Sequence, residues 1–301
     1  MSKFIVSDLH GNGNVYNSIM KYLENVSKEE EVTLYINGDL IDRGPDSSEM
    51  LLDVIERQKN GPFKVEYLAG SHELLMHQYF LDKKNNTKKY YEDWFDYGGM
   101  STYYGLEDIL GNDEKMLYVS DFISNLKIFN EFEEKINGKN IVLVHASSIM
   151  YGDDTKDLTL KDNSDDVYVS LLARPFPSYF PFRCKLDNKN YFTIAGHTPN
   201  DSKDGFKYYM DENLLNIDGG SSRYVIGFFD QDHVPLVEVN DGYLKVLTFN
   251  NNNEIINGCF IDHNGIFPFS KIEEEHNKKY LDNTVKVKKV IKNEDGVVFY
   301  N

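Results

Sequence analysis

Residues 32–44 read VTLYINGDLIDRG, an apolar run that ends abruptly in two aspartates and an arginine. The run over 32–36 is rich in β-branched and aromatic residues, which predicts a buried strand. Asp39, Asp42 and Arg43 follow at once, where that strand ends. In α/β sheets, ligands collect at the carboxyl ends of the strands, so this stretch predicts both the fold class and the place of a site.

The same pattern extends in both directions from this stretch. Strands are predicted at residues 4–6, 65–69, 141–144, 192–195 and 214–217. Apolar residues at helical spacing predict helices over about 14–26, after Pro45 and over 72–81, the second burying Met50, Leu51, Val54 and Ile55. This βαβαβ order predicts an α/β fold with right-handed crossovers.

The rest of the chain is interpreted more coarsely. Residues 83–86 are expected to form an exposed loop, and further strands are predicted at 224–229, 235–239 and 243–249. Asparagines at 250–253 mark a break. The tail beyond it is expected to hold two or three more strands and a charged stretch over 271–279.

Composition excludes several classes of protein. The 301 residues carry 32 Lys+Arg against 49 Asp+Glu, a formal net charge of −17, which argues against nucleic acid as the main partner. No apolar run reaches the roughly 20 residues of a membrane span, and no secretory signal pattern opens the chain. Cys184 and Cys259 form neither a disulfide framework nor a metal motif. We therefore expect a cytoplasmic protein that does not bind membranes.

Carboxylates and imidazoles follow five of the predicted strands. They are Asp8 and His10, Asp39 and Asp42, His72, His145, and His197. Such ligands suit divalent ions such as Mn²⁺, Fe²⁺ or Zn²⁺. Two ions about 3.5–4 Å apart can bind phosphate oxygens and share a hydroxide that attacks phosphorus in line. Arg43 beside them could bind the phosphate in a bidentate manner.

The ordered motifs resemble those of the calcineurin-like metallophosphoesterases, and within them the bacterial or phage-type phosphoprotein phosphatases. Residues 8–11 (DLHG), 38–44 (GDLIDRG), 70–73 (GSHE), 145–146 (HA) and 196–199 (GHTP) carry the resemblance. Secondary similarities lie in Trp94, in Gly98, Gly99 and Thr102, in residues 171–175, and in residues 217–220 (IDGG). The matched region covers roughly residues 4–220.

The resemblance implies a role for each residue. Asp8 and His10 would bind the first metal, Asp39 would bridge both, and His145, His197 and Ser71 would surround the second. His72 would be the general acid, oriented by Asp42. Arg43 and Arg174 would bind the phosphate, although an Arg before a proline can also simply pair with an acidic loop. Mn²⁺ is the first choice of metal, with Fe or Zn as alternatives.

One position departs from the family pattern. Ser71 stands where the family has Asn, whose amide oxygen binds the second metal. A hydroxyl is a shorter and weaker ligand, so the resemblance implies lower affinity for the second ion and reduced or lost activity. His77, on the helix after the site, is interpreted as structural.

The resemblance implies a four-layer sandwich of two mixed β-sheets flanked by helices. Residues 1–250 would form the catalytic domain, and residues 251–301 an extension packed on it. The expected function is hydrolysis of phosphomonoesters, with phosphoserine or phosphothreonine of proteins as the first substrate class. The alternatives are a dinucleoside polyphosphate hydrolase, such as a diadenosine tetraphosphatase, and a catalytically disabled phosphate-binding protein. Partners would thus be phosphorylated proteins or small phosphoesters.

Overall fold

The structure is a computed structural model of the whole chain. It describes residues 1–87, 93–111, 113–173, 188–199, 201–202, 205–206, 209–211, 213–227, 233–252, 254–262, 264–278, 280–281, 290–292 and 298–300. Arg174, Cys184 and the aromatic run at 176–182 lie outside these residues.

The described strands and helices alternate through the first third of the chain and are mainly strands after residue 190. The strands are β1 (Ser2–Val6), β2 (Val32–Asn37), β3 (Lys64–Leu68), β4 (Phe129–Ile136), β5 (Lys139–Val144), β6 (Phe192–Ala195), β7 (Asp201–Ser202), β8 (Gly205–Phe206), β9 (Tyr209–Asp211), β10 (Leu214–Asn216), β11 (Val234–Asn240), β12 (Tyr243–Phe249), β13 (Ile255–Asp262), β14 (Gly265–Pro268), β15 (Val290–Lys292) and β16 (Val298–Tyr300). The helices are α1 (Gly13–Val26), α2 (Ser47–Asn60), α3 (Ser71–Asn85), α4 (Asp93–Asp96), α5 (Met100–Leu110), α6 (Asp113–Ser124), α7 (Asp165–Leu172), α8 (Ser221–Val225) and α9 (Lys271–Lys278).

Two mixed sheets form the centre of the molecule. The first has seven strands in the order β14-β13-β12-β11-β1-β2-β3, in which β1, β2 and β3 run parallel and β11 joins β1 antiparallel. The second has five strands in the order β4-β5-β6-β10-β9, with β5, β6 and β10 parallel. This arrangement confirms the predicted α/β class and the two mixed sheets flanked by helices.

The sheets pack face to face through an apolar layer to which both contribute. Ile5 of β1 and Val237 of β11 lie in one buried cluster with Leu143 of β5 and Ile194 of β6. The neighbours of Ile5 along β1, Phe4 and Val6, point the other way and pack with the helices. This alternation follows from the two-residue period of a strand and leaves the strand ends, rather than the faces, open for a site.

Most predicted elements of the first half are confirmed within a few residues. The helix after Pro45 is α2, and it buries Met50, Leu51, Val54 and Ile55 as expected. The predicted loop at 83–86 is wrong in part, because Lys83 to Asn85 complete the last turn of α3 and Asn86 ends it with φ at 54°. The helices α4, α5 and α6 were not predicted from the sequence pattern.

The predicted strand at 224–229 is also wrong over residues 224–227, and residues 228–229 lie outside the described part of the chain. Ser221 to Val225 form α8, which starts at Gly220 in the left-handed region with φ at 83°. Gly220 donates its backbone N–H to Asp218 Oδ1 at 2.9 Å, so the turn between β10 and α8 is fixed by a side chain. The apolar residues around Tyr224 misled the prediction because helical start signals were weak.

Beyond residue 250, β13 and β14 lengthen the first sheet, since β13 pairs antiparallel with β12. Tyr22 of α1 contacts the ring of Tyr280 edge to face. The division into a catalytic domain and a packed extension remains a prediction. Among the described residues, no helix has the length and apolarity that crossing a bilayer requires.

Candidate metal centre

Loops at the carboxyl ends of five strands meet at one place, and their backbones are unusual there. Nine described non-glycine residues have positive φ, and six of these are predicted site residues: Asp8, His10, Asp39, Asp42, Arg43 and His197. Such conformations cost roughly 1–3 kcal/mol each and persist where the surroundings impose them. Because strained residues are concentrated at this site, we infer that the fold tolerates the strain in order to hold these side chains in position.

Asp39 lies at the centre of the cluster. Its Oδ2 is 3.5 Å from His10 Nε2 and 3.3 Å from His145 Nε2. Its Oδ1 accepts the backbone N–H of His72 at 2.8 Å, and both oxygens accept from the Ser71 hydroxyl at 3.2 and 3.1 Å. One carboxylate therefore touches groups from three other loops.

Two groups of three potential ligands share this carboxylate. Ligand atoms of His10, Asp39 and His72 lie within 4.8 Å of one another, and so do those of Asp39, His145 and His197. His145 Nε2 is 3.2 Å from His197 Nδ1, and its own Nδ1 is 2.9 Å from the Asn37 carbonyl oxygen. The backbone carbonyl thus orients the His145 ring so that Nε2 faces the cluster.

Asp8 stands at the edge of the cluster. Its carboxylate accepts the backbone N–H of His197 at 3.0 and 3.1 Å and the hydroxyl of Ser7. Asp8 is buried, but the group of potential metal ligands that contains His10 is completed by Asp39 and His72 and does not include Asp8. The assignment of Asp8 as a ligand of the first metal stays a prediction.

His72 and Asp42 form a hydrogen-bonded pair. His72 Nδ1 lies 2.7 Å from Asp42 Oδ2, and Trp94 Nε1 donates to the same oxygen at 2.8 Å. Thr102 donates to Asp42 Oδ1 at 2.5 Å and accepts the Asp42 backbone N–H at 3.0 Å. Asp42 is fully buried and has a fixed orientation, so His72 is held with Nε2 as the nitrogen left for the cavity.

A second buried carboxylate braces the cluster from behind. Glu73 accepts the backbone N–H groups of Asp39 and Gly70 at 2.8 Å each and that of Leu40 at 3.2 Å. The Tyr67 hydroxyl donates to it at 2.5 Å. Glu73 therefore ties the start of α3 to the Asp39 loop.

Charge and burial shift the pKa values of the cluster in opposite directions. Burial, followed by the nearby His72, holds the pKa of His10 well below its usual range. Burial and then the charge of Asp218 raise the pKa of Asp8. Burial opposes protonation of His145, but the adjacent Asp39 carboxylate outweighs it and raises the pKa of His145 to about 10.

Asp39 and His72 show the same competition between burial and charge. Burial alone would raise the pKa of Asp39, but the adjacent His145 and His72 hold it well below its usual value. Burial alone would lower the pKa of His72, but the charge of Asp39 and the hydrogen bond to Asp42 raise it. Dense, buried charge of this kind is typical of functional sites.

The donor set fits divalent metal ions. Buried carboxylate and imidazole ligands match the preferences of Mn²⁺, Fe²⁺ and Zn²⁺. Two glycines leave room for the carboxylates. A Cβ on Gly70 would lie 2.4 Å from Asp39 Oδ1, and a Cβ on Gly196 would lie 2.0 Å from Asp8 Oδ2. Both glycines are thus required by the close approach of the carboxylates.

The cluster forms the floor of a cavity of about 670 Å³. Its lining includes the predicted residues His10, Asp39, Arg43, Ser71, His72 and His197. Arg43 is held by its backbone N–H, which donates to the Gly98 carbonyl oxygen at 3.1 Å. Of the predicted site residues, only Arg174 lies outside the part of the chain that the structure describes.

Several residues at the site were not assigned a role from the sequence. Glu73 belongs to a quoted motif, and Trp94 and Thr102 carried the resemblance, but their contacts with Asp42 and the Asp39 loop were not foreseen. Asp218 lies in the IDGG motif and lines the cavity with Arg223. Arg223 follows no recognisable pattern, so no sequence signal could have found it.

Comparison with known proteins agrees with the motifs. Residues 1–237 match the family described as calcineurin-like phosphoesterase. An asymmetrical bis(5′-nucleosyl)-tetraphosphatase of Bacillus subtilis is 27% identical over 208 residues, which cover 66% of this chain and 80% of that protein. A symmetrical bis(5′-nucleosyl)-tetraphosphatase of Buchnera aphidicola is 28% identical over 95 residues, 32% of this chain and 33% of its own.

Among solved structures, a mutant of a cold-active protein tyrosine phosphatase aligns with a TM-score of 0.50 at 14% identity, covering 84% of this chain and 78% of its own. At that identity the likeness concerns the fold alone. The family match confirms the resemblance inferred from the motifs.

Proposed function

The chain belongs to the calcineurin-like phosphoesterase family, and on that premise we propose that it hydrolyses phosphomonoesters at a site for two divalent metal ions. The observation that carries the proposal is that Asp39 is shared by two groups of potential ligands, with His10 on one side and His145 and His197 on the other, while His72 beside His10 is kept for the role of acid. A carboxylate shared by two groups of potential ligands is suited to bridge two neighbouring metal ions.

Two ions bound there would supply Lewis acidity at the phosphate and lower the pKa of an attacking water. The residues of the chain do the rest. Arg43, at the cavity wall, would bind phosphate oxygens and offset the repulsion from the carboxylates. Arg174 is proposed as a second such residue.

His72 is proposed to protonate the leaving oxygen. Its Nδ1 bonds to Asp42, and the charge of Asp39 and the hydrogen bond to Asp42 raise its pKa against the effect of burial, which favours the protonated imidazole that an acid needs. Asp42 in turn is held by Trp94 and Thr102. A positioned acid of this kind contributes roughly 10²–10⁴-fold to the rate.

For the natural substrate, phosphoserine and phosphothreonine of proteins remain the first proposed class, with Mn²⁺ as the proposed metal and Fe or Zn as alternatives. A second candidate is a dinucleoside tetraphosphate. It is favoured by the Bacillus subtilis relative, which is named a bis(5′-nucleosyl)-tetraphosphatase and is matched over 80% of its length. A third is phosphate binding without turnover, because Ser71 offers a weaker ligand than the family Asn.

The test is Mn²⁺-dependent hydrolysis of p-nitrophenyl phosphate, a phosphothreonine peptide and diadenosine tetraphosphate. Asp39→Asn should abolish turnover of every substrate that the wild type accepts, because it removes the shared carboxylate. Asp153→Asn, at an exposed aspartate, is the matched control and should keep full activity. Equal turnover by wild type and Asp39→Asn would contradict the proposal, and the preferred substrate separates the first two candidates.

Turnover by Ser71→Asn but not by the wild type, with equal affinity for phosphate, would select the third candidate.

A further inference from the structure

The cavity extends beyond the metal-ligand cluster. Of its roughly 670 Å³, the part along Asp96 and Tyr97 and the part along Ser222, Arg223 and Ile226 have no role in the proposed chemistry. Cavities of this size hold whole drug-sized ligands. The site therefore has room for a substrate much larger than one phosphoryl group.

Arg223 supplies a second guanidinium to this cavity. Among its described lining residues, Arg43 and Arg223 are the arginines, and they come from separate segments, the loop after β2 and helix α8. The adjoining Ser221 donates to the Leu9 carbonyl oxygen at 3.1 Å and accepts from the Asn12 side chain at 3.2 Å. Helix α8 is thus fixed against the loop that carries Asp8 and His10.

A second arginine in this cavity has an electrostatic consequence. The chain carries a net charge of −17, and the cluster itself contains buried carboxylates, so an anionic substrate is repelled as it enters. The reacting phosphoryl group already has Arg43 and, as proposed above, Arg174 as its guanidinium partners. An additional guanidinium on another segment matches a second anionic group in the same substrate.

Two of the other lining residues offer apolar surface beside the acidic Asp96 and Asp218. Tyr97 is 59% exposed and Ile226 is 50% exposed, and both line this cavity. Single exposed apolar residues need no explanation. Here a ring and an aliphatic side chain share one cavity with two arginines, and aromatic rings are surfaces on which nucleobases stack.

We infer that Arg223 is a specificity-determining residue that binds a second phosphate group of the substrate, with Tyr97 and Ile226 contacting a nucleobase, so that the favoured ligand class is a nucleoside polyphosphate. This inference rests on the proposed function, because it takes the reacting phosphoryl group to lie at the metal-ligand cluster. It deepens that function by favouring its second candidate substrate, the dinucleoside tetraphosphate, over phosphoserine and phosphothreonine. It also assigns the leaving group to a different set of residues from those that hold the reacting phosphorus.

The reaction balances as a hydrolysis. Water loses a proton and its oxygen bonds to the reacting phosphorus, while the bridging P–O bond to the next phosphate breaks. The departing phosphate keeps the electron pair, lies beside Arg223 and takes up the proton carried by His72. The proton from water restores His72, so one water is consumed.

The experiment compares substrate selectivity in the full-length, Mn²⁺-loaded protein. In Arg223→Gln, the ratio of kcat/KM for diadenosine tetraphosphate to kcat/KM for p-nitrophenyl phosphate should fall about tenfold or more, because one charge-assisted contact is lost for the first substrate alone. Lys64→Gln is the matched control. Its side chain is 65% exposed at the start of β3, and the ratio should stay unchanged.

A second variant tests the base contact. Tyr97→Ala should weaken the binding of diadenosine tetraphosphate more than the binding of inorganic tripolyphosphate, which has phosphates but no base. An equal loss for all substrates in Arg223→Gln, or no change in the ratio, would overturn the inference.

Binding separates this inference from the proposed function. Calorimetry should show that Arg223→Gln lowers the affinity for ATP about tenfold and the affinity for inorganic phosphate much less. If p-nitrophenyl phosphate is hydrolysed but ATP binding does not depend on Arg223, the inference fails and the proposed function stands. If ATP binding depends on Arg223 and no phosphoester is hydrolysed, the subsite stands and the proposed function fails. If neither ATP binding nor hydrolysis is seen, both are wrong.

Discussion

The Ser71 hydroxyl donates to both carboxylate oxygens of Asp39, at 3.2 and 3.1 Å. A hydroxyl has a single proton, so the two bonds share it. Ser71 thereby draws on the electron density that Asp39 would otherwise offer to metal ions. The residue that departs from the family pattern acts directly on the carboxylate that both ligand groups share.

We predict that Ser71→Asn raises the affinity for a second Mn²⁺ ion by roughly 10–100-fold, the usual scale for changes around metal ligands. The amide would add an oxygen ligand beside His145 and His197 and release Asp39. Calorimetric titration and the electron paramagnetic resonance of bound Mn²⁺ measure the stoichiometry without relying on turnover. Ser71→Ala is the control, since it releases Asp39 but adds no ligand. Identical metal binding by Asn, Ala and Ser variants would show that position 71 does not contribute.

The acid assigned to His72 can be tested through pH. Asp42 and Asp39 raise the pKa of His72, so the protonated form persists to higher pH, and activity should be lost as the pH rises through that pKa. Asp42→Asn removes one of these supports and should move the alkaline limb of the kcat profile to lower pH. The loss of kcat in Asp42→Asn should be larger for an alkyl phosphate than for p-nitrophenyl phosphate, because the nitrophenolate leaving group needs little protonation. An alkaline limb that does not move in Asp42→Asn would contradict the assignment.

The brace formed by Glu73 should be a stability element. Glu73→Gln keeps the shape but gives up one of the oxygens that accept the Asp39, Gly70 and Leu40 amides. Leaving a buried donor unsatisfied costs roughly 1–3 kcal/mol, which urea unfolding measures. Tyr67→Phe removes only the hydroxyl bond and should cost less. If the two variants unfold alike, the amide contacts of Glu73 contribute little beyond the Tyr67 bond.

The sequence predicts the metal-ligand and acid residues of this site better than the residues that hold them in place. Asp8, His10, Asp39, His145 and His197 each follow a strand of recognisable pattern, so topology alone brings them together. The helices between residues 93 and 124 were missed because their aromatic and polar residues lack a regular apolar period. The contacts of Trp94 and Thr102 with Asp42 depend on these helices. No local sequence pattern predicts such contacts. Helix α8 and its Arg223 were missed because the apolar residues around Tyr224 are typical of a strand.

His77, interpreted from the sequence as structural, predicts a loss of stability in acid. Its side chain is 4% exposed and its Nε2 has no hydrogen-bond partner among the described residues. Burial and then the charge of Lys161 lower its pKa from 6.5 to about 4. In the unfolded chain the imidazole takes up a proton as the pH falls below about 6.5, whereas the folded protein resists until about 4. The stability associated with a neutral His77 is therefore complete above 6.5 and is lost between 6.5 and 4.

The expected loss is on the order of 2–3 kcal/mol, because one pKa unit corresponds to about 1.4 kcal/mol. Urea unfolding of the wild type at pH 7 and pH 4.5 measures it, and His77→Gln, which cannot titrate, should show a shallower decline over this range. His276→Gln, at an exposed histidine, is the control and should follow the wild type. Parallel curves for wild type and His77→Gln would mean that the proton uptake linked to unfolding occurs elsewhere, and the carboxylates of the metal-ligand cluster would be the next groups to test.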